Sequence, residues 1–236
     1  MSGDGGGVSV VVPTHDDAAT IRRALDAALG QTLAPREVIV VDDASGDEGP
    51  ALVARMAAED PRVRLERLGS NLGPATARNL GCHQSSASRP LSGHRWVAAP
   101  GAGFAAREVG VAGERPLGLR SLAIRNRLST PTVMVRRAVP ERFDARRMHA
   151  EDWDLWLRIV AAHGPAGWLD ATLTALDKPA VSARGISAQA SRMHRGELAT
   201  VAAMRRAGAV GAPAALAWAA WMRAKRVRRA LRAGTA

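Results

Sequence analysis

The chain has 236 residues, 47% of them hydrophobic, which allows one sizeable α/β core or one core with a small annex. Its formal net charge of +11 attracts acidic partners, yet no recognition motif and no interleaving of aromatic with basic residues supports nucleic-acid binding. The single cysteine, Cys82, excludes an intrachain disulfide, and MSGDGGG is too polar and brief for a secretory signal, so a reducing, cytoplasmic setting is expected.

Val8 to Val12 and Val38 to Val41 are uninterrupted β-branched runs, the pattern of strands buried on both faces of a parallel sheet. Helices on both faces are therefore expected. Between these runs Ile21, Ala24, Leu25, Ala28 and Leu29 recur at helical spacing behind Asp16 and Asp17, whose carboxylates can cap the first turn. A helix over Pro50 to Glu59 and a strand over Val63 to Leu65 repeat the cycle. The pattern predicts a doubly wound, mostly parallel sheet with ligands at the carboxyl ends of its strands. Pro13, Thr14 and His15 end the first strand, and Asp42 and Asp43 end the second. Two adjacent carboxylates there are costly unless something uses them. Asp42 is read as a ligand contact, while Asp43 and Asp47 are read as turn and cap residues of the next helix. Asn71-Leu72-Gly73-Pro74 is a tight loop opening a helix, with Arg78 on its first exposed turns. A guanidinium there adds to the positive end of the helix dipole and suits a diphosphate.

In this order VSVVVPTHDD, EVIVVDDAS and SNLGPATARNLG resemble the nucleotide-sugar half of inverting family 2 glycosyltransferases of the GT-A fold. The resemblance implies Pro13, Thr14, Asp42, Asn71 and Arg78 as nucleotide-sugar contacts, with Asp42 on base and ribose and Arg78 facing the nucleotide. It also implies a strand ending in Asp-x-Asp, which holds a divalent cation, magnesium or manganese, on the phosphates. Cys82 to Glu108 contains no such pair and shows small residues and scattered prolines without a helix or strand period. Arg95-Trp96-Val97-Ala98 is the candidate strand, which puts Gly101-Ala102-Gly103 where the aspartates belong, and no metal ligand is assigned. Two readings stay open for this segment. One is a divergent member, inactive or with arginines meeting the phosphates; the other is a reading-frame shift compensated downstream.

From Leu128 the pattern returns. Ser129 to Val135 reads as a turn into a β-branched strand. In HAEDWDLWLRI, Leu155, Trp156, Ile159 and Val160 fall at helical spacing, and Glu151 and Asp152 occupy the first turn, where the dipole favours acids in any protein. The resemblance covers Arg115 to Asp170 and implies a sharper use. It makes Asp152 the catalytic base that takes the proton of the acceptor hydroxyl, with Glu151 its alternate or an acceptor contact. Trp156 is read as core, Trp153 as core or a sugar-stacking platform, and Asp154 as the partner of Arg158. His94, His149, His163 and His194 lack a zinc-ligand spacing and are read as surface or loop residues.

Ala207 to Met222 is uncharged and carries Trp218 and Trp221, and Arg223 to Arg232 is densely basic. The apolar part is shorter than the ~20 residues a spanning helix needs. It reads either as a helix on a membrane surface, Trp side down with arginines at the head groups, or as a terminal helix packed on the domain. The organisation expected is a single glycosyltransferase-like domain with a nucleotide-sugar-binding half at 8–81, a divergent segment at 82–112, a smaller acceptor half at 113–206 and a basic amphipathic tail at 207–236. The resemblance implies transfer of a sugar, with inversion, from a nucleotide-sugar donor to a glycan or lipid-linked acceptor, as in cell-envelope polysaccharide assembly. The setting is cytoplasmic or peripheral on the inner face of the membrane, with contact through 207–232. The alternative is a degenerate relative that binds without transferring.

Overall fold

The computed structural model describes residues 8–81, 91–98, 114–136, 138–176 and 190–233. The chain forms two compact units, Met1–Ser88 with Val135–Arg146 and Arg89–Met134 with Arg147–Ala236.

In the first unit β1 (Ser9–Thr14), β2 (Glu37–Asp42) and β3 (Val63–Arg67) alternate with α1 (Ala18–Leu29), α2 (Gly49–Glu59) and α3 (Pro74–Gly81). The strands make a parallel sheet with β2 in the middle, Val10 pairing with Val38 and Val38 with Val63. Every residue of β2 is buried, because a central parallel strand is covered on both faces. Alternation along the strand then sorts its side chains. Val38 and Val40 join Ile21, Leu25, Val53, Met56 and Val63 on the side of α1 and α2, and Ile39 and Val41 meet Ala77 on the side of α3. The expected double winding is present. α3 lies so close to β1 that a Cβ on Gly81 would collide with the side chain of Val11, so only glycine fits there.

The capping of α1 differs from expectation. Asp17 stands at the N-cap position without a side-chain capping bond, and the N–H of Ala18 donates instead to Asp47 Oδ2 at 2.7 Å. Asp16 adopts a left-handed φ of 53°, and its carboxylate accepts from the N–H of Gly46 at 2.8 Å. Asp47 also accepts from Gly49 N–H at 2.9 Å, at the start of α2. It therefore serves two helix starts. The N–H of Ala18 first, and that of Gly49 second, hold its carboxyl below the ordinary value of 3.8.

The second unit holds β4 (Leu91–Ala98), β5 (Arg115–Leu117), α4 (Leu119–Ile124), most of β6 (Val133–Val135), α5 (Glu151–His163), β7 (Ala166–Leu176), α6 (Ala190–Arg206) and α7 (Ala212–Ala233). Its sheet runs β5-β7-β4-β6, with β4 parallel and β5 antiparallel to β7. β4 extends the candidate strand Arg95–Ala98 back to Leu91, inside a segment read as lacking a strand period. Gly101, Ala102 and Gly103 lie outside the described residues. A 3-10 turn over Thr130–Thr132 leads into β6, as the turn-to-strand reading expected.

α5 is the core helix of this unit. Leu155, Trp156, Leu157, Ile159 and Val160 are buried along it, and Trp156 Nε1 donates to the carbonyl of Leu128 at 3.1 Å. Trp153 is core as well. Its Nε1 donates to Leu122 O at 2.8 Å, and its ring meets Trp218 of α7 edge to face, with centroids 5.5 Å apart. A ring so enclosed on both its polar and apolar sides cannot serve as a sugar platform. Of the two readings of the tail, the same contacts match the terminal helix packed on its own unit. Trp218 and Met222 are buried, and Trp221 Nε1 donates to Ile124 O at 3.1 Å, so the tryptophan side of α7 packs on its own unit. Leu216, Trp221 and Val227 are the large apolar side chains it exposes among the described residues. No helix among the described residues is long and apolar enough to cross a membrane. His194, read as surface or loop, is instead buried within α6 beside Glu197, which also faces Lys225 Nζ at 3.4 Å.

Candidate functional site

In the first unit the carboxyl ends of β1 and β2 and the loop before α3 gather five of the residues read as nucleotide contacts or their neighbours. Pro13 is half-buried and Thr14 buried, and the carbonyl of Thr14 accepts from the N–H of Asp43 at 2.9 Å. Asp42 has no exposed surface. Its Oδ1 accepts from the N–H of Ser45 at 3.2 Å, and its Oδ2 accepts from Arg67 Nε at 2.9 Å. An interior charge persists only when paired and hydrogen-bonded, and Arg67 supplies that pairing from a side chain that is itself half in solvent. Arg67 escaped the sequence reading. The signal was nonetheless present, because β3 runs two residues beyond Leu65 and the parallel register then sets Arg67 against Asp42.

Asp43 holds the α3 loop. Its Oδ1 accepts from Leu72 N–H at 2.7 Å and its Oδ2 from Gly73 N–H at 2.8 Å, so it does not cap α2 as expected. Strand alternation sends it away from Asp42 and toward a loop whose Gly73 takes a left-handed φ of 85°. Asn71 is bonded twice. Its Nδ2 lies 3.0 Å from His15 Nε2, and its Oδ1 accepts from Gly73 N–H at 3.2 Å. The ends of β1, β2 and the α3 loop are thus one hydrogen-bonded assembly.

Arg78 is the fifth described residue of α3, one turn past its start at Pro74. Its guanidinium stacks over the ring of Phe143, 5.3 Å from the centroid. Asn79 fixes the same segment, with Nδ2 donating to Phe143 O at 2.8 Å and Phe143 N–H donating back to Asn79 Oδ1 at 2.9 Å.

The second unit places the remaining candidates at the start of α5. Ala150 takes a left-handed φ of 57° and turns the chain into a helix whose first turn holds Glu151, Asp152 and Asp154. Glu151 is buried. Asp154 is buried too, and it pairs with Arg158 at 2.9 Å, as the spacing predicted, and with Arg147 at 3.2 Å. Asp152 alone among the three is half exposed. Its Oδ1 accepts from the N–H of Trp153 at 2.6 Å, and its Oδ2 faces Asn126 Nδ2 at 3.4 Å and Thr130 Oγ1 at 3.3 Å. Such long contacts orient a carboxylate weakly. Asp152 is the acid of this turn that solvent reaches most readily. Asn126 and Thr130, its orienting neighbours, were not singled out in the sequence.

A metal site is a separate matter. Among the described residues no group of three or more His, Cys, Asp or Glu is arranged to hold a metal ion.

Comparison with known proteins bears on both sets of residues. Residues 9–88 match the family described as Glycosyl transferase family 2. Over 74 residues the chain is 53% identical to the succinoglycan biosynthesis protein ExoO of Rhizobium meliloti (strain 1021), a match covering 31% of this chain and 21% of that protein. It is 35% identical over 72 residues to the chondroitin synthase of Pasteurella multocida (strain Pm70), covering 30% of this chain and 7% of that one. The matched part thus spans about a fifth of the first relative and less of the second. Among solved structures, the chain is similar to S. aureus TarS 1-349 in complex with UDP-GlcNAc, with a TM-score of 0.62 and 16% identity over 83% of this chain and 66% of that one. It is also similar to the mannosyltransferase PcManGT from Pyrobaculum calidifontis in complex with GDP-Man and Mn2+, with a TM-score of 0.58 and 18% identity over 94% of this chain and 75% of that one. These likenesses establish the expected α/β, GT-A fold class.

Proposed function

We propose that this chain, whose residues 9–88 match glycosyl transferase family 2, transfers a sugar with inversion from a nucleotide-sugar donor to a glycan or lipid-linked acceptor. The observation that carries the reading is the hydrogen-bonded assembly at the carboxyl ends of β1 and β2, which lies wholly within the matched segment. The UDP-GlcNAc and GDP-Man complexes of TarS and PcManGT support a nucleotide-sugar donor.

In this reading residues 8–81 hold the nucleotide. Asp42, kept in place by Arg67, meets base and ribose, with Pro13, Thr14 and Asn71 beside it, and Arg78 on its Phe143 ring meets the diphosphate. Residues 113–206 serve the acceptor. Asp152 takes the proton of the acceptor hydroxyl as that oxygen attacks the anomeric carbon, and the nucleoside diphosphate departs with the electron pair of the broken bond. Glu151 orients the acceptor. The Mn2+ of the PcManGT complex supports a divalent cation in relatives. The described residues of this chain do not fit one, and no step here is routed through it. The reaction is placed on the cytoplasmic side, where 207–232 contacts a membrane surface through the exposed Leu216, Arg223, Arg226 and Val227.

A second reading, binding without transfer, is favoured by Gly101-Ala102-Gly103 at the place of the metal aspartates. Two measurements separate the readings. Calorimetric titration with UDP-, GDP- and TDP-sugars is expected to show saturable binding of at least one, weakened by Asp42→Asn, and no binding to any of them overturns both. Transfer of radiolabelled sugar to a lipid or glycan acceptor is expected of the first reading alone.

A further inference from the structure

β5 is an edge strand of the second unit's sheet and pairs antiparallel with β7, Arg115 opposite Trp168 and Leu117 opposite Ala166. Residues directly opposite share a face, as do residues two apart along a strand. Arg115, Trp168 and Asp170 therefore stand on one face, and the buried pair Leu117 and Ala166 continues it inward. Arg115 Nη2 donates to Asp170 Oδ2 at 2.9 Å. With Ser121 of α4 and Arg127 at the rim, these residues enclose a cleft of about 330 Å³. That volume is at the low end of the range for small-molecule sites.

We propose that this cleft binds an acidic pyranose, a sugar ring bearing a carboxylate. Three features select that ligand. Trp168, half-buried in the wall, offers an apolar ring against which the C–H face of a pyranose can lie. The fixed pair of Arg115 and Asp170 sets donors beside an acceptor, the arrangement that adjacent hydroxyls satisfy from both sides. The charge is the third feature: the lining carries two guanidiniums, Arg115 and Arg127, against the one carboxylate of Asp170. Arg115 is neutralised by its partner. Arg127 is exposed and has no carboxylate partner among the described residues, and its fork of donors matches a carboxylate in two parallel hydrogen bonds.

The cleft lies outside the matched residues 9–88, within the half proposed to serve the acceptor, and none of its side chains is assigned to the donor or to proton transfer, so its occupancy can be measured without any donor. The test is titration of the full chain with methyl glucuronide, methyl glucoside and acetate, followed by saturation-transfer NMR. Glucuronide is expected to bind about tenfold more tightly than glucoside, the lower end of a charge-assisted bond. Arg127→Met, a change at an exposed side chain, is expected to bring glucuronide down to the level of glucoside while leaving glucoside unchanged. Trp168→Ala is expected to abolish binding of both sugars, and Asp170→Asn to weaken both. Equal binding of the two sugars, no response to Arg127→Met, or no glucuronide binding at millimolar concentration overturns the proposal. Acetate binding as well as glucuronide would mark an anion site indifferent to the ring and overturns it equally.

Discussion

Asp42 and Asp152 are the carboxylates on which the proposed reaction turns, and their surroundings differ in kind. Asp42 is wholly buried at the end of a central strand, bonded at 2.9 Å to a guanidinium. Asp152 is half exposed at the start of a helix, and its side-chain partners stand 3.3 and 3.4 Å away. A carboxylate enclosed on all sides keeps one position; one half exposed at a helix start is open to a group that approaches from solvent. Sequence alone presents both as acids at the end of a secondary-structure element. Their partners separate the roles.

The division can be broken most directly at Asp152. Asp152→Asn should lower transfer by roughly 10²–10⁴-fold, the span of general base catalysis, and leave nucleotide affinity unchanged. Initial rates with a labelled donor check it. If neither Asp152→Asn nor Glu151→Gln slows transfer, the base is elsewhere.

Asp42→Asn should act the other way round, weakening nucleotide binding about 10–100-fold, since a hydrogen bond to a charged group contributes ~1.5–3 kcal/mol. Arg67→Ala should weaken it too, by releasing Asp42. Calorimetry on both single variants and the double variant gives the coupling, and additive losses would mean that Arg67 does not act through Asp42.

Asp43→Ala sharpens the contrast between binding and scaffolding. It leaves the N–H groups of Leu72 and Gly73 without their carboxylate and should cost about 1–3 kcal/mol in denaturant unfolding. A variant as stable as the parent would show that the α3 loop holds itself.

The smallest effect is expected at Asp47, whose carboxyl is held below 3.8 by the N–H groups of Ala18 and Gly49. A group with a lowered native value adds stability above its unfolded value and loses it as pH falls through the native one. The melting temperature of Asp47→Asn should therefore lie below that of the parent near neutral pH, and the gap should close in acid. A gap independent of pH would mean that the charge of Asp47 contributes nothing.

Much of the first unit was legible because local pattern decides it. Val38 to Val41 and the spacing of Ile21, Leu25 and Ala28 place β2 and α1 to within a few residues. β5 was not legible, being three residues with Pro116 in the middle, and neither was β7, which holds no valine or isoleucine. The site divides in the same way. Acids at element ends can be seen in a sequence, but Arg67 reaches Asp42 across 25 positions and Thr130 reaches Asp152 across 22. Only strand register and helix packing bring such pairs together.

The return of Val135–Arg146 to the first unit sets the order in which the molecule can be completed. Asn79 and Phe143 bond to each other across 64 positions, and at roughly 5–20 residues per second a ribosome takes about 3–13 s to cover that distance. Through that interval the sheet of the first unit exists while the side of α3 that Phe143 covers does not. The first unit therefore cannot be finished until much of the second has been made. The emerging chain consequently carries an incomplete surface for seconds, a window in which chaperone capture competes with aggregation.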